Sequence, residues 1–246
     1  MKELTWQKVL QAQQQDFIQR LKYSLSNPEY DNLTLSHFNY HPFYCERSYP
    51  SERIIISALD EEKIDRFCGE LAEKYNHEPA VDSYMNYKIG KLGEEAVKVY
   101  LNNLITGVDY KIHSGGDGGI DFLVKNNKHI GIQVKTKTLN RISLRDICKN
   151  KLSEDDVDEC GFYLWQDRMT RIDSIKWNIQ SEEIHQNKVL ICILLMNYIV
   201  VDKISSECDC IIAGFKPTAE IKYSGDFKMQ DLLYSGGIRP FLESLN

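Results

Sequence analysis

Six residues constrain this chain more than any others: Ile130-Gly131-Ile132-Gln133-Val134-Lys135. As a strand of period two, they put Ile130, Ile132 and Val134 on one face and Gln133 and Lys135 on the other. The apolar set must go inward, which leaves Gln133 and Lys135 pointing together to the opposite side. Upstream, Asp121 closes an Asp117-Gly118-Gly119-Ile120-Asp121 run and opens a second apolar strand, Ile-Asp-Phe-Leu-Val. A carboxylate, an amide carbonyl and an ammonium in one place suit a hard divalent cation and an activated water. An ordinary hairpin with a glycine-rich entry explains the glycines. It does not explain three polar groups on one face.

That chemistry demands an irregular hairpin. A plain two-residue loop at Asn126-Asn127 would set Asp121 opposite Ile132, on the apolar side, because one step of register flips every side chain. The expectation is therefore an odd-length connection, most simply Asn126-Asn127-Lys128 with an Asn in the left-handed conformation, or a bulge near Gly131. Either brings Asp121 opposite Gln133, with Lys135 one step further along the same face.

A helix is expected ahead of this hairpin, from Ser83 to Leu104, with Met85, Ile89, Ala96, Tyr100 and Leu104 on one face and Gly107 ending the segment. Glu94 and Glu95 flank that face on opposite sides, so periodicity alone does not choose between them. Lys88, Lys91 and Lys98 lie nearer Glu95, which marks Glu95 as a surface ion-pair residue.

Taken in order, Gly118-Gly119-Ile120-Asp121 and Gln133-Val134-Lys135, behind a helix bearing Gly93-Glu94, resemble the PD-(D/E)xK nuclease superfamily. Within it they are similar to the Mrr-like branch, where glutamine replaces the second acid. The resemblance covers roughly residues 84 to 152. It implies an α/β fold with a restriction-endonuclease-like core: a central mixed β-sheet flanked by helices, over residues 81–246 with a C-terminal extension. A helical N-terminal segment, residues 1–80, would cover that core. The resemblance also implies Mg²⁺, or Mn²⁺, held by Asp121, the Gln133 side-chain oxygen and the Val134 backbone carbonyl. The Gly-Glu-x-x-Val spacing of Gly93, Glu94 and Val97 matches the first-helix acidic position, making Glu94 an auxiliary metal-side carboxylate. Lys135 would orient or help deprotonate the attacking water and offset transition-state charge. The implied activity is DNA phosphodiester hydrolysis in a restriction, repair or phage-defence setting, with a homodimer the usual means of cutting both strands. A catalytically inactive nuclease-fold binding or assembly subunit, and a Holliday-junction resolvase-like enzyme, would carry the same residues.

A net charge of −6 argues against a protein that coats nucleic acid indiscriminately. The distribution differs locally: from Lys111 to Lys151 there are nine Lys/Arg against three acids, two of them Asp117 and Asp121. Arg141, Arg145 and Lys149 recur every fourth residue, and a helix starting at Ser143 would put Arg145 and Lys149 on one face. In isolation such a stripe is a solvated face; directly after the catalytic strand it is a candidate phosphate contact. The acidic run Glu154 to Glu159 would face away from a phosphate backbone.

Elsewhere the patterning is coarser. Residues 4–25 read as an amphipathic helix with Leu4, Val9, Leu10, Phe17, Ile18, Leu21 and Leu25 apolar. Residues 27–52, rich in proline, tyrosine and histidine, read as an irregular connection whose aromatics either pack on the domain or stack on bases. A cap-like Ser57-x-x-Asp60 begins a helix burying Ile64, Phe67, Cys68, Leu71 and Tyr75. Val189 to Met196 reads as a buried central strand and Asp209 to Phe215 as its hairpin partner. Residues 160–186 show no clear pattern. The seven cysteines contain no Cys-x-x-Cys pair, and Cys192, Cys208 and Cys210 lack cluster spacing, so buried, reduced thiols in a cytoplasmic protein are expected. No run is long and apolar enough for a membrane span.

Overall fold

The computed structural model describes residues 5–26, 53–74, 80–112, 119–138, 172–195 and 208–245. The aromatic segment 27–52, Asp117, Gly118 and the basic stripe Arg141, Arg145 and Lys149 lie outside the described residues.

The alternating stretch forms β3 (Asn127–Thr138), and the all-apolar stretch forms β5 (Val189–Leu195), buried along its whole length. The two run parallel, with Gln133 beside Leu190 and Lys135 beside Cys192. Burial on both faces is why β5 lacks alternation. On one side the sheet extends through β6 (Cys208–Pro217) to β1 (Arg53–Ile56), and on the other to β2 (Phe122–Val124), giving among the described residues five strands in the order β1-β6-β5-β3-β2. The fold is mixed α/β. The parallel pair needs a crossover, which carries β4 (Lys176–Ile179) and the short helix α4 (Ser181–Gln186). Strand β4 pairs with β7 (Gly225–Lys228) in a separate two-stranded sheet.

Apolar layers cover both faces. Helix α3 (Ala80–Leu101) packs Leu92, Ala96, Val97 and Leu101 on the face that carries Ile132, Val134, Ile191 and Ile193. Its close approach is made at Gly93, where a Cβ would lie 1.8 Å from Thr136 Oγ1. On the opposite face, α1 (Trp6–Ser26) contributes Phe17, Ile18 and Leu21 to a cluster with Trp177, Leu190, Cys192 and Leu194. Within α1, Gln14 is fully buried and donates to Ala213 O (2.7 Å) and Met229 O (3.0 Å). Val9, expected on the apolar face, is exposed. Helix α2 (Ala58–Lys74) begins as the sequence suggests, with Asp60 N–H donating to Ser57 Oγ at 3.3 Å, and buries Ile64, Phe67 and Cys68. The closing segment forms α5 (Ile238–Ser244), which buries Ile238 and Leu242.

Residue 80 is not a boundary between a helical cover and a core. Strand β1 arises before it and pairs antiparallel with β6, so one sheet draws on both sides of that position. Four residues, Arg-Ile-Ile-Ile, are too short to announce a strand without the partner that supplies its hydrogen bonds. Among the described residues, no helix is long and apolar enough to cross a membrane.

Candidate active site

The hairpin is irregular in the sense the chemistry requires, by a different route from the simplest one. Val124 pairs with Asn127, leaving Lys125 and Asn126 as a two-residue turn, yet Leu123 pairs with Gly131 rather than Lys128. Three extra residues, Lys128, His129 and Ile130, are inserted on β3. Three is odd, so the faces exchange. Neither Asn126 nor Asn127 takes a positive φ; among the described non-glycine residues only Asn102 does. The shift therefore comes from a bulge ahead of Gly131, not from a left-handed Asn in the loop. Beyond the bulge Phe122 faces Ile132 and Asp121 N–H donates to Ile132 O at 3.1 Å, which brings Asp121 opposite Gln133.

Two of the expected donors, Asp121 Oδ2 and Val134 O, lie there around the Gln133 amide nitrogen, not around its oxygen. Asp121 Oδ2 accepts from the Gln133 Nε2 amide at 2.8 Å and from Val134 N–H at 2.6 Å. The same Nε2 lies 3.4 Å from Val134 O. In an antiparallel ladder a residue's N–H and C=O point to the same neighbour, and β2 begins only at Phe122. Val134 thus turns both backbone groups toward the end of β2, where the Asp121 carboxylate stands in for the missing strand. Gln133 is 5% exposed, and its Oε1 is buried with no hydrogen-bond partner among the described residues.

That orphan oxygen tests whether a cation fits. The amide N–H₂ presents its donors to two acceptors while the amide oxygen is wasted. Turned over, the amide would set Oε1 beside Asp121 Oδ2, an arrangement stable only with a cation between them. Adjacent oxygens around Mg²⁺ at 2.0–2.1 Å are about 2.9 Å apart in octahedral geometry. The 2.8 Å separation is near that edge but is equally an ordinary amide–carboxylate hydrogen bond, and the 3.4 Å to Val134 O exceeds it. The fit rests on the unpaired oxygen. Asp121, Gln133 and Val134 O therefore fit a hard, oxygen-preferring ion. Among the described residues no three His, Cys, Asp or Glu side chains gather for a metal. The other positions would fall to water and phosphate oxygens, as is usual for Mg²⁺.

Lys135 reaches a partner absent from the sequence reading. Its Nζ lies 2.5 Å from Glu183 Oε1, on α4. Helix α4 is seated by glycines: a Cβ on Gly131 would lie 2.7 Å from Gln186 O, and one on Gly119 would lie 2.9 Å from Gln186 Oε1. Gly119 also sits at φ 75°, a left-handed conformation that glycine adopts at little cost. Asn187 Nδ2 bridges Gly119 O (2.7 Å) and Glu183 O (2.8 Å), and Lys188 N–H donates to Gly131 O (2.8 Å). The glycine run and the β3 glycine thus receive one and the same element.

Glu94 and Glu95 sit on α3, which lies on the other side of β3 from Gln133 and Lys135. Glu94 is buried and bound through both oxygens to Lys91 Nζ, at 2.9 and 2.7 Å. Glu95 is not a surface residue: it is 7% exposed and accepts from Tyr110 OH. Burial first, and then that bond to Glu95, hold the Tyr110 phenol well above its ordinary range. The α2–α3 seam also carries polar pairs, with Lys88 Nζ on Asp65 and Tyr84 OH donating to Asp65 at 2.7 Å. Burial, followed by the Asp65 charge, pushes the Cys68 thiol up to about 12. Cys68, Cys192 and Cys210 are all buried free thiols.

Comparison with protein-family models, curated proteins and solved structures finds no match.

Proposed function

We propose that this protein is a metal-dependent DNA endonuclease of PD-(D/E)xK type, built on a restriction-endonuclease-like core. The observation that carries the reading is the convergence of Asp121 Oδ2, the Gln133 amide and Val134 O, with a buried amide oxygen that has no partner among the described residues. A mere hairpin would gain nothing from it, since a buried acceptor without a donor costs about 1–3 kcal/mol.

Asp121, Gln133 Oε1 and Val134 O would hold Mg²⁺ or Mn²⁺. A divalent cation so bound supplies Lewis-acid polarisation of a phosphoryl oxygen and acidifies water. The chain's own residues do the rest. Asp121 carries the formal negative charge of the set, and its bond from Val134 N–H fixes the carboxylate before substrate arrives. Lys135, one pleat further along the same face, offers an ammonium to the charge that builds on the phosphorus oxygens. Glu94, clamped by Lys91 on the other side of the strand, is assigned to the α2–α3 seam in this proposal. The basic stripe Arg141, Arg145 and Lys149 is assigned to the phosphate backbone of DNA. Cutting of both strands would involve a homodimer.

The test is incubation of purified protein with plasmid, linear, single-stranded and branched DNA in Mg²⁺, Mn²⁺ or EDTA. Cleavage with either metal and none in EDTA is expected. Binding without cleavage in any metal would favour the inactive-clamp reading, and cleavage confined to branched DNA the resolvase-like one.

A further inference from the structure

We propose that Glu183 is a positioning residue of this site and its second carboxylate, supplied by the crossover helix α4 instead of by β3. The inference rests on the nuclease reading and deepens it.

Glu183 uses both oxygens. Oε2 accepts Gln180 N–H at 2.8 Å, closing a capping box at the start of α4, and Oε1 meets Lys135 Nζ. The carboxylate is thereby fixed by main chain on one side and presents a fixed negative charge to the lysine on the other. A lysine side chain carries about 2 kcal/mol of rotamer entropy, and an ammonium on a four-carbon stem must be held before it can act on one phosphate. Here both partners are largely shielded, Lys135 at 26% and Glu183 at 15% side-chain exposure. The seating of α4 leaves Glu183 little choice of place. Asn187 ties the helix to Gly119, Lys188 ties it to Gly131, and no side chain larger than hydrogen fits at either glycine without displacement.

Charge counting points the same way. Asp121, Gln133 and Lys135 sum to zero, one negative charge short of a site with two acids and a lysine. Glu183 restores that charge without occupying the position taken by Gln133.

The experiment compares wild type, Glu183→Gln, Lys135→Ala and the double variant in single-turnover and steady-state cleavage of DNA with Mg²⁺ and with Mn²⁺. Gln at position 183 keeps an acceptor for Gln180 N–H, so the cap and fold should persist, as the urea midpoint will show. Glu183→Gln is expected to lower kcat by tenfold to about 100-fold with KM for DNA unchanged, the scale of a misplaced catalytic group. Added to Lys135→Ala it should lower the single-turnover rate no further, because nothing remains for it to hold. Wild-type kcat in a folded Glu183→Gln protein, or a fully additive loss in the double variant, would overturn the assignment while leaving the nuclease reading standing. A wild-type protein that cuts no DNA with either metal would remove that reading, and the role of Glu183 with it.

Discussion

Gln133 Nε2 stands 2.8 Å from Asp121 Oδ2, so the amide occupies the position that a second carboxylate could hold only with a counter-ion between the two acids. Gln133→Glu should therefore be destabilised in EDTA and regain stability in Mg²⁺. Binding at a ligand concentration of 100 times Kd adds about 2.7 kcal/mol, roughly 5 to 10 °C in Tm for a chain of this size. Thermal melts with and without Mg²⁺ measure this, and the variant should respond more than wild type. Equal responses would show that position 133 does not face the cation.

Asp121 has a structural duty besides the chemical one proposed for it, because Val134 N–H donates to it at 2.6 Å. Both Asp121→Ala and Asp121→Asn should abolish cleavage. Only the alanine variant leaves that buried N–H unpaired, at a cost of about 1–3 kcal/mol. Urea denaturation should separate the two, with Asp121→Asn near wild type.

Gly131 tests how firmly α4 is seated. A Cβ there would meet Gln186 O at 2.7 Å, a backbone atom that cannot rotate aside. Gly131→Ala should lose about 1–3 kcal/mol, as overpacked positions do. It should also reduce cleavage, since Glu183 moves with the helix. A wild-type urea midpoint would mean that α4 yields freely.

Alkaline stability follows from Cys68. Its thiol ionises near 9 when unfolded and is held up to about 12 in the fold. The folded state keeps the proton longer, so the contribution is complete below pH 9 and is lost as pH rises toward 12. The expected slope is about 1.4 kcal/mol per pH unit for the one proton. Cys68→Ala should show a shallower fall between pH 9 and 10 by denaturant titration; an identical fall would assign the loss to other groups.

On the DNA side, Arg145→Ala with Lys149→Ala should flatten the dependence of log K on log salt by about 0.9 for each phosphate contact removed on duplex DNA. Fluorescence anisotropy across a salt series measures it. An unchanged slope would return the stripe to being a solvated face.

What could be read from the chain depended on how local its cause was. The faces of Gln133 and Lys135 follow from period two alone, and the buried β5 from its unbroken apolar run. The Ser57 cap is likewise written within four residues. The bulge was inferable only as a need: Lys128-His129-Ile130 carries no turn chemistry, and its presence follows from asking Asp121 to meet Gln133. Glu183 gave no signal, since Ser-Glu-Glu-Ile-His-Gln looks like any solvated turn of helix and its partner lies 48 residues away. Glu95 misled for the converse reason. Neighbouring lysines suggested water, whereas α2 and Tyr110 cover it.

The far edge of the sheet has a consequence for synthesis of the protein. Strand β1 ends at Ile56, and its partner β6 begins at Cys208. At 5–20 residues per second, the ribosome takes about 8 to 30 seconds to deliver that partner. Throughout that interval Ile54 and Ile56, both buried in the finished fold, have no strand beside them. The nascent chain is therefore open to chaperones, and to mispairing with its neighbours on a polysome, along the side of β1 that β6 later covers.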